Sequence, residues 1–277
     1  MNRNKISLLP LLLLLILPAM AAAQTGGGDF YADKVGEADK AIEDGNWAAA
    51  EKCLVEAMHS DPANPFNVLL LSNVGMMQFN QGKDSLALAT LNDALTMAPQ
   101  SVSILANRAK VLTAIGHTED ALADYTRILA IDSMAVEPRF YHGMLAMRKG
   151  DFHSARADFD FLDRHFPDSP QTQTANATLN VTLGKWETAI PYFNKIIEKD
   201  PQPHFYAGRA QCRLMLEQLQ EASDDIAKGL ELDPDDGELY LLRAVLNKMR
   251  YRIDDARADA EKAQQLGIPR ERLKIFF

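Results

Sequence analysis

The chain has 277 residues, with 38 acidic and 29 basic side chains, and a formal charge of −9 at pH 7. Removing its first 23 residues, which hold Arg3 and Lys5 and no carboxylate, takes −9 to −11. A surface that acidic repels phosphate backbones and anionic lipid, so nucleic-acid and membrane-surface binding are not expected.

Residues 1–23 begin with Arg3 and Lys5. The apolar run Ile6–Leu17 follows, then Pro18 and the small residues Ala19, Ala21, Ala22 and Ala23. This is the pattern of a cleavable export signal, with cleavage after Ala23 leaving Gln24 first. A retained anchor is the competing reading, but the apolar run has 12 residues where a membrane-spanning helix needs about 20. Export makes the periplasm, or otherwise the outside of the cell, the expected location. Residues 24–30, with Gly26, Gly27 and Gly28, read as a flexible leader.

From residue 31 onward the chain repeats itself. Ala50, Ala87, Ala121, Ala155, Ala189, Ala222 and Ala256 recur at intervals close to 34 residues. Such a period marks stacked helical hairpins, each needing its neighbour to cover its apolar face. The repeats run over 31–64, 68–101, 102–135, 136–169, 170–202, 203–236 and 237–268, with extra residues around Asn64 to Asn67 lengthening the first connection. Five residues before the alanines stand Gly45, Gly82, Gly116, Gly150 and Gly184, replaced by Glu217 and Tyr251 in the last two repeats. Glycine there closes one helix and permits a tight turn into the next. Four residues after the alanines come Leu54, Leu91, Tyr125, Phe159, Phe193 and Ile226, the expected core wedges, with Ala260 in the last repeat. Twelve residues after them, Pro62, Pro99, Pro167, Pro201 and Pro234 stop the second helix in five of the seven repeats. The first repeat is more polar along its first helix and is expected to cap the stack.

Small residues also stand at Ala38, Gly75, Ala109, Gly143, Ala177, Ala210 and Ala244, twelve before each alanine. With a small residue at position 8, alanine at 20, an aromatic at 24 and proline at 32, the pattern resembles the tetratricopeptide repeat over about residues 31–268. The resemblance implies an all-α fold, a right-handed superhelical solenoid of about seven antiparallel helix pairs. Residues 269–277 follow as a tail, apolar at Leu273, Ile275, Phe276 and Phe277. It is expected to fold over the open end of the seventh hairpin; the alternative is an adhesive end that binds a partner or a second copy.

Catalytic chemistry is not apparent. His59, His117, His142, His153, His165 and His204 are scattered without ligand spacing. His142, beside a small core position, reads as a hydrogen-bonded structural residue. Cys53 and Cys212 lie five repeats apart and read as free thiols. Asp233, Asp235, Asp236 and Gly237 fail the calcium-loop spacing and read as an inter-repeat turn with a helix cap. Adjacent acids such as Asp224 and Asp225, or Asp254 and Asp255, are expected to point apart into solvent. Asn176 and Asn180 open glycosylation sequons inside an expected helix. No enzymatic activity, cofactor or metal is expected.

The family resemblance implies that first helices line a concave groove through repeat positions 2, 5, 9, 12 and 13. Those positions supply Met76, Phe79, Lys110, Phe140, Met144, Met147, Arg148, Gln211, Leu214, Met215 and Met249, with Thr174, Thr178 and Thr182 between them. Methionine is flexible and polarizable and suits irregular apolar ligands. The competing reading is that curvature of the stack buries these side chains against the next repeat. The Lys and Asn clamp with which some family members hold an acidic tail is absent, so an extended or helical peptide with apolar anchors is the expected partner. The expected function is a non-catalytic scaffold or adaptor for protein partners, with envelope assembly or export as its setting; the alternative is a structural subunit that self-associates through its C-terminal end.

Overall fold

A computed structural model describes residues 28–277, with side chains from Phe30. The expected signal and most of the expected leader lie outside the described residues. Every regular element among them is a helix. Seven hairpins follow one another: α1 (Gly28–Glu43) with α2 (Trp47–Ser60), α3 (Asn67–Asn80) with α4 (Asp84–Met97), α5 (Val102–Ala114) with α6 (Thr118–Ile131), α7 (Val136–Arg148) with α8 (Phe152–His165), α9 (Pro170–Thr182) with α10 (Trp186–Lys199), α11 (Pro203–Met215) with α12 (Leu219–Leu232), and α13 (Gly237–Met249) with α14 (Ile253–Gln265). A one-turn helix α15 (Arg270–Leu273) and a 3-10 turn, Lys274–Phe276, complete the chain. Helix α1 starts at Gly28, so Gly28 to Phe30 are helical rather than part of a leader.

The chain divides into two compact units, one ending at Ala135 and the other Val136–Phe277. The first holds three hairpins and the second four hairpins with the tail. Within each unit helices pack on their hairpin partners; α2 with α3, α4 with α5, α8 with α9, α10 with α11 and α12 with α13 join successive hairpins, and first helices also meet directly, α3 with α5, α7 with α9 and α11 with α13.

The seven repeat alanines are buried, and so are Leu54, Leu91, Tyr125, Phe159, Phe193 and Ile226 one helical turn later. The small column is a steric necessity. A Cβ on Gly143 would stand 2.4 Å from the Phe159 ring, and one on Gly75 would stand 2.7 Å from Leu91. A further column, two residues beyond it, is buried as well at Met77, Val111, Leu145, Leu179, Cys212 and Leu246, whereas the first repeat has exposed Lys40 there. Asp33 and Glu37 of α1 are exposed too, and exposed Asp44 follows in the turn, so the first hairpin is polar where later repeats are apolar.

The lengthened first connection is held by its own side chains. Asn67 Nδ2 donates to the Asp61 carbonyl at 2.8 Å, and the Tyr31 hydroxyl donates to Asn67 Oδ1 at 3.2 Å. Burial, helped by the Asp61 charge, pushes the Tyr31 hydroxyl up to about 12.

In the hairpin turns, Gly116 takes a φ of 87°, and the replacements Glu217 and Tyr251 are held at 57° and 61°, in the same left-handed region. The tail packs on the last hairpin. Leu273 and Phe276 are buried against Leu241, Ala244, Ala256, Ala260 and Ala263, Arg272 pairs with Glu238, and Lys248 Nζ donates to the Ile275 carbonyl at 2.8 Å. Leu273 lies 34 residues after Leu239 and shares its complete burial, so α15 occupies the place of an eighth first helix.

Candidate functional site

In the first unit the expected groove side chains are largely spent on the fold. Met76 is 3% exposed and belongs to one cluster with Val35, Leu70 and Val111, while Phe79 leans against it half-buried. Ser72 accepts a hydrogen bond from Asn107 Nδ2 at 3.1 Å, joining α3 to α5. Lys110 is half-buried. Direct packing of one first helix on the next is what closes this stripe, and it corrects Met76 from a ligand contact to a core residue.

The second unit keeps more of the stripe open. Phe140, Met144 and Met147 lie half-buried over the cluster of Ala146, Ala155, Phe159, Leu162, Ala175 and Leu179, and Arg148 beyond them is exposed. On α9, the Thr178 hydroxyl donates to the Thr174 carbonyl at 2.7 Å and Thr182 to the Thr178 carbonyl at 2.8 Å. Hydroxyls engaged by their own helix leave the methyl groups as the available surface. On α11, Gln211 is exposed and Met215 is 57% exposed, but Leu214 is 4% exposed, in the core with Ala210, Ala222, Ile226 and Leu246. Leu214 is therefore corrected in the same way as Met76. Met249 is half-buried on that cluster, and Glu238 and Lys248 of α13 are engaged by the tail.

A second set of residues escaped the sequence reading. Asp124, Asp158, Asp225 and Asp259 are buried, each three residues after a repeat alanine, and each is held by a basic side chain sixteen residues earlier. Arg108 donates to Asp124 at 2.7 and 2.6 Å, Arg209 reaches Asp225 at 2.6 Å, Arg243 reaches Asp259 at 2.6 Å, and His142 Nδ1 lies 2.5 Å from Asp158. Hydrogen bonding to the carboxylates raises Arg108 and Arg243 above the usual guanidinium range. Asp225 thus departs from expectation. It is buried between Arg209 and Arg213, the latter at 2.7 Å, and only Asp224 faces solvent. The Arg-to-Asp interval of sixteen was the available signal.

A tetratricopeptide-repeat profile matches residues 35–102, 140–202 and 174–237, more than half of the chain. The chain belongs to the tetratricopeptide-repeat family. A crystal structure of a tetratricopeptide repeat protein from Parabacteroides merdae is 30% identical and superposes with a TM-score of 0.70 over 90% of this chain and 97% of that one. YrrB, described as a tetratricopeptide protein with an unusual peptide-binding site, shares the fold at 20% identity and a TM-score of 0.51, over 67% of this chain and 96% of its own. Among curated proteins, the DnaJ homolog subfamily C member 7 homolog of Dictyostelium discoideum is 23% identical over 66% of this chain and 37% of its own. This chain spans about a third of the length of such relatives.

Other chemistry-bearing residues of this tetratricopeptide protein have structural partners. His142 is the hydrogen-bonded residue its position suggested. Asp236 caps α13, accepting from the Glu238 and Leu239 amides at 2.8 and 3.1 Å. Asn176 of the first sequon is buried. Cys53 and Cys212 are free, and burial pushes the Cys212 thiol up to about 11. Among the described residues no group of three or more His, Cys, Asp or Glu side chains gathers as a metal site, and no helix is long and apolar enough to cross a membrane. A cleft of about 330 Å³ lies between α4, α5 and α6; of its polar lining, Arg108 donates to Asp124 and Asn92, and His117, Asp120 and Arg127 complete it. The family fold is that of a protein–protein interaction scaffold.

Proposed function

We propose that this scaffold binds an extended or helical peptide segment with apolar anchors along the first helices of its second unit. The observation that carries the reading is the accessible stripe Phe140, Met144 and Met147 on α7, continued by threonine methyls on α9 and by Met215 on α11. Half-buried methionines offer contact area without the rigid shape that would restrict the partner to one sequence. Arg148 and Gln211 are the polar groups at its border; they orient the segment, while the apolar stripe supplies the affinity.

The pattern of Arg3, Lys5 and Ile6–Leu17 supports placing this scaffold outside the cytoplasm, in the periplasm of an enveloped cell, where protein segments exported for envelope assembly would be its clients. Selection from a displayed library of random peptides against the purified protein tests the binding mode. Recovered sequences should share apolar residues at strand or helix spacing. Recovery of acidic C-terminal tails without apolar anchors would contradict it.

A further inference from the structure

The two ends of the described chain differ in charge. Residues 28–64, the first hairpin and its connection, hold nine carboxylates against three basic side chains, whereas residues 243–277 hold nine basic side chains against five carboxylates. At the first end, α1 presents Asp33, Glu37 and Lys40 and the turn after it presents Asp44, all exposed; Lys34 pairs with Glu37 at 2.6 Å, and Phe30 is 48% exposed under the Lys34 ammonium at 5.4 Å. At the other end, Arg270, Glu271, Arg272 and Lys274 are exposed, with Arg272 paired to Glu238, and Ile275 and Phe277 beside them in sequence are 62% and 53% exposed.

We propose that these two caps are complementary docking surfaces, and that the acidic α1 face of one copy binds the basic tail of a second copy. Opposite charge on two ends of one chain steers copies head to tail, because like ends repel. The exposed aromatic and aliphatic side chains Phe30, Ile275 and Phe277 supply the apolar contact an interface core needs. Leu273 already fills the position against Ala263 that the next first helix would take. The contact therefore joins two finished caps rather than extending the ladder of buried columns. A head-to-tail contact uses different surfaces on the two copies and does not close at a dimer, so assembly grows with concentration.

Sedimentation velocity of the purified protein tests this over a wide concentration range at two ionic strengths. At about 0.01 M salt, where charges act over about 30 Å, the mean mass should climb steadily with concentration; at about 1 M, where the range is about 3 Å, it should return to the monomer. A charge reversal at either end, Arg270→Glu with Lys274→Glu or Asp33→Lys with Asp44→Lys, should leave monomers at low salt. An equimolar mixture of the two variants should restore assembly, since their ends are again opposite. All four side chains are exposed, and matching circular dichroism confirms that the variants remain folded. A monomer at every concentration, a mass that levels at a dimer, or a mixture that stays monomeric would overturn the proposal.

Discussion

Tyr251 is 90% exposed at φ 61°, a conformation that five other hairpin turns give to glycine. A side chain in the left-handed region costs about 1–2 kcal/mol, and so exposed a ring returns little of it through contacts. Tyr251→Gly should therefore stabilise the second unit by about 0.5–1 kcal/mol, less than the full strain because glycine raises the entropy of the unfolded chain. Thermal unfolding reads this as a higher midpoint; a lower one would show that the ring makes a stabilising contact. The replacement of glycine by Glu217 and Tyr251 was legible in the sequence, but their positive φ was not. A column break is equally compatible with a turn of another shape, and the backbone hydrogen bonds decide between them. Here the Tyr251 amide bonds the Lys248 carbonyl at 3.0 Å and the Arg252 amide the Asn247 carbonyl at 2.8 Å, the same geometry that the Gly184 and Lys185 amides give the preceding α9.

Each hairpin is held by volume and, in four of the seven, by a buried carboxylate. The volume was readable: an alanine column, a small column and a wedge column name both helices and their contact face. The carboxylates were missed because Asp224 and Asp225 look alike in sequence, yet successive helical residues differ by about 100° in direction, and only Asp225 points at α11. Its two guanidinium partners at 2.6 and 2.7 Å tie the helices of the sixth hairpin together. Asp225→Asn keeps the shape and removes the charge, leaving Arg209 and Arg213 without a counter-ion. Removing one partner of a buried pair costs about 3–5 kcal/mol, and the partly exposed guanidinium groups place this site lower, at about 2–3 kcal/mol. Denaturant unfolding followed by alkylation of Cys212, buried on α11, should show the loss in the second unit. An unchanged midpoint would mean that the pair contributes no net stability.

For the whole molecule, period and composition settle the architecture of each unit, while the binding face depends on packing that no single repeat contains. Met76 and Met144 occupy equivalent repeat positions, but Met76 is buried beside Val111 of the next first helix and Met144 remains half-buried at the surface. Leu214 and Met215 are neighbours in sequence and opposite in exposure. Neighbouring hairpins decide these outcomes, so burial removes Met76 and Leu214 from the expected groove residues. The tail shows the same limit. Its apolar residues were evident, but its role as a truncated eighth first helix rests on Leu273 reaching Ala263. The central claim is that the remaining accessible stripe binds peptide, and titration of a selected peptide against surface variants tests it most directly. Met147→Glu and Met215→Glu should each weaken binding by about tenfold or more, the loss of roughly 1.4 kcal/mol of apolar contact. Leu232→Glu, on the exposed end of α12, should bind as the parent does. Equal binding by all three, or a loss confined to Leu232→Glu, would contradict the account.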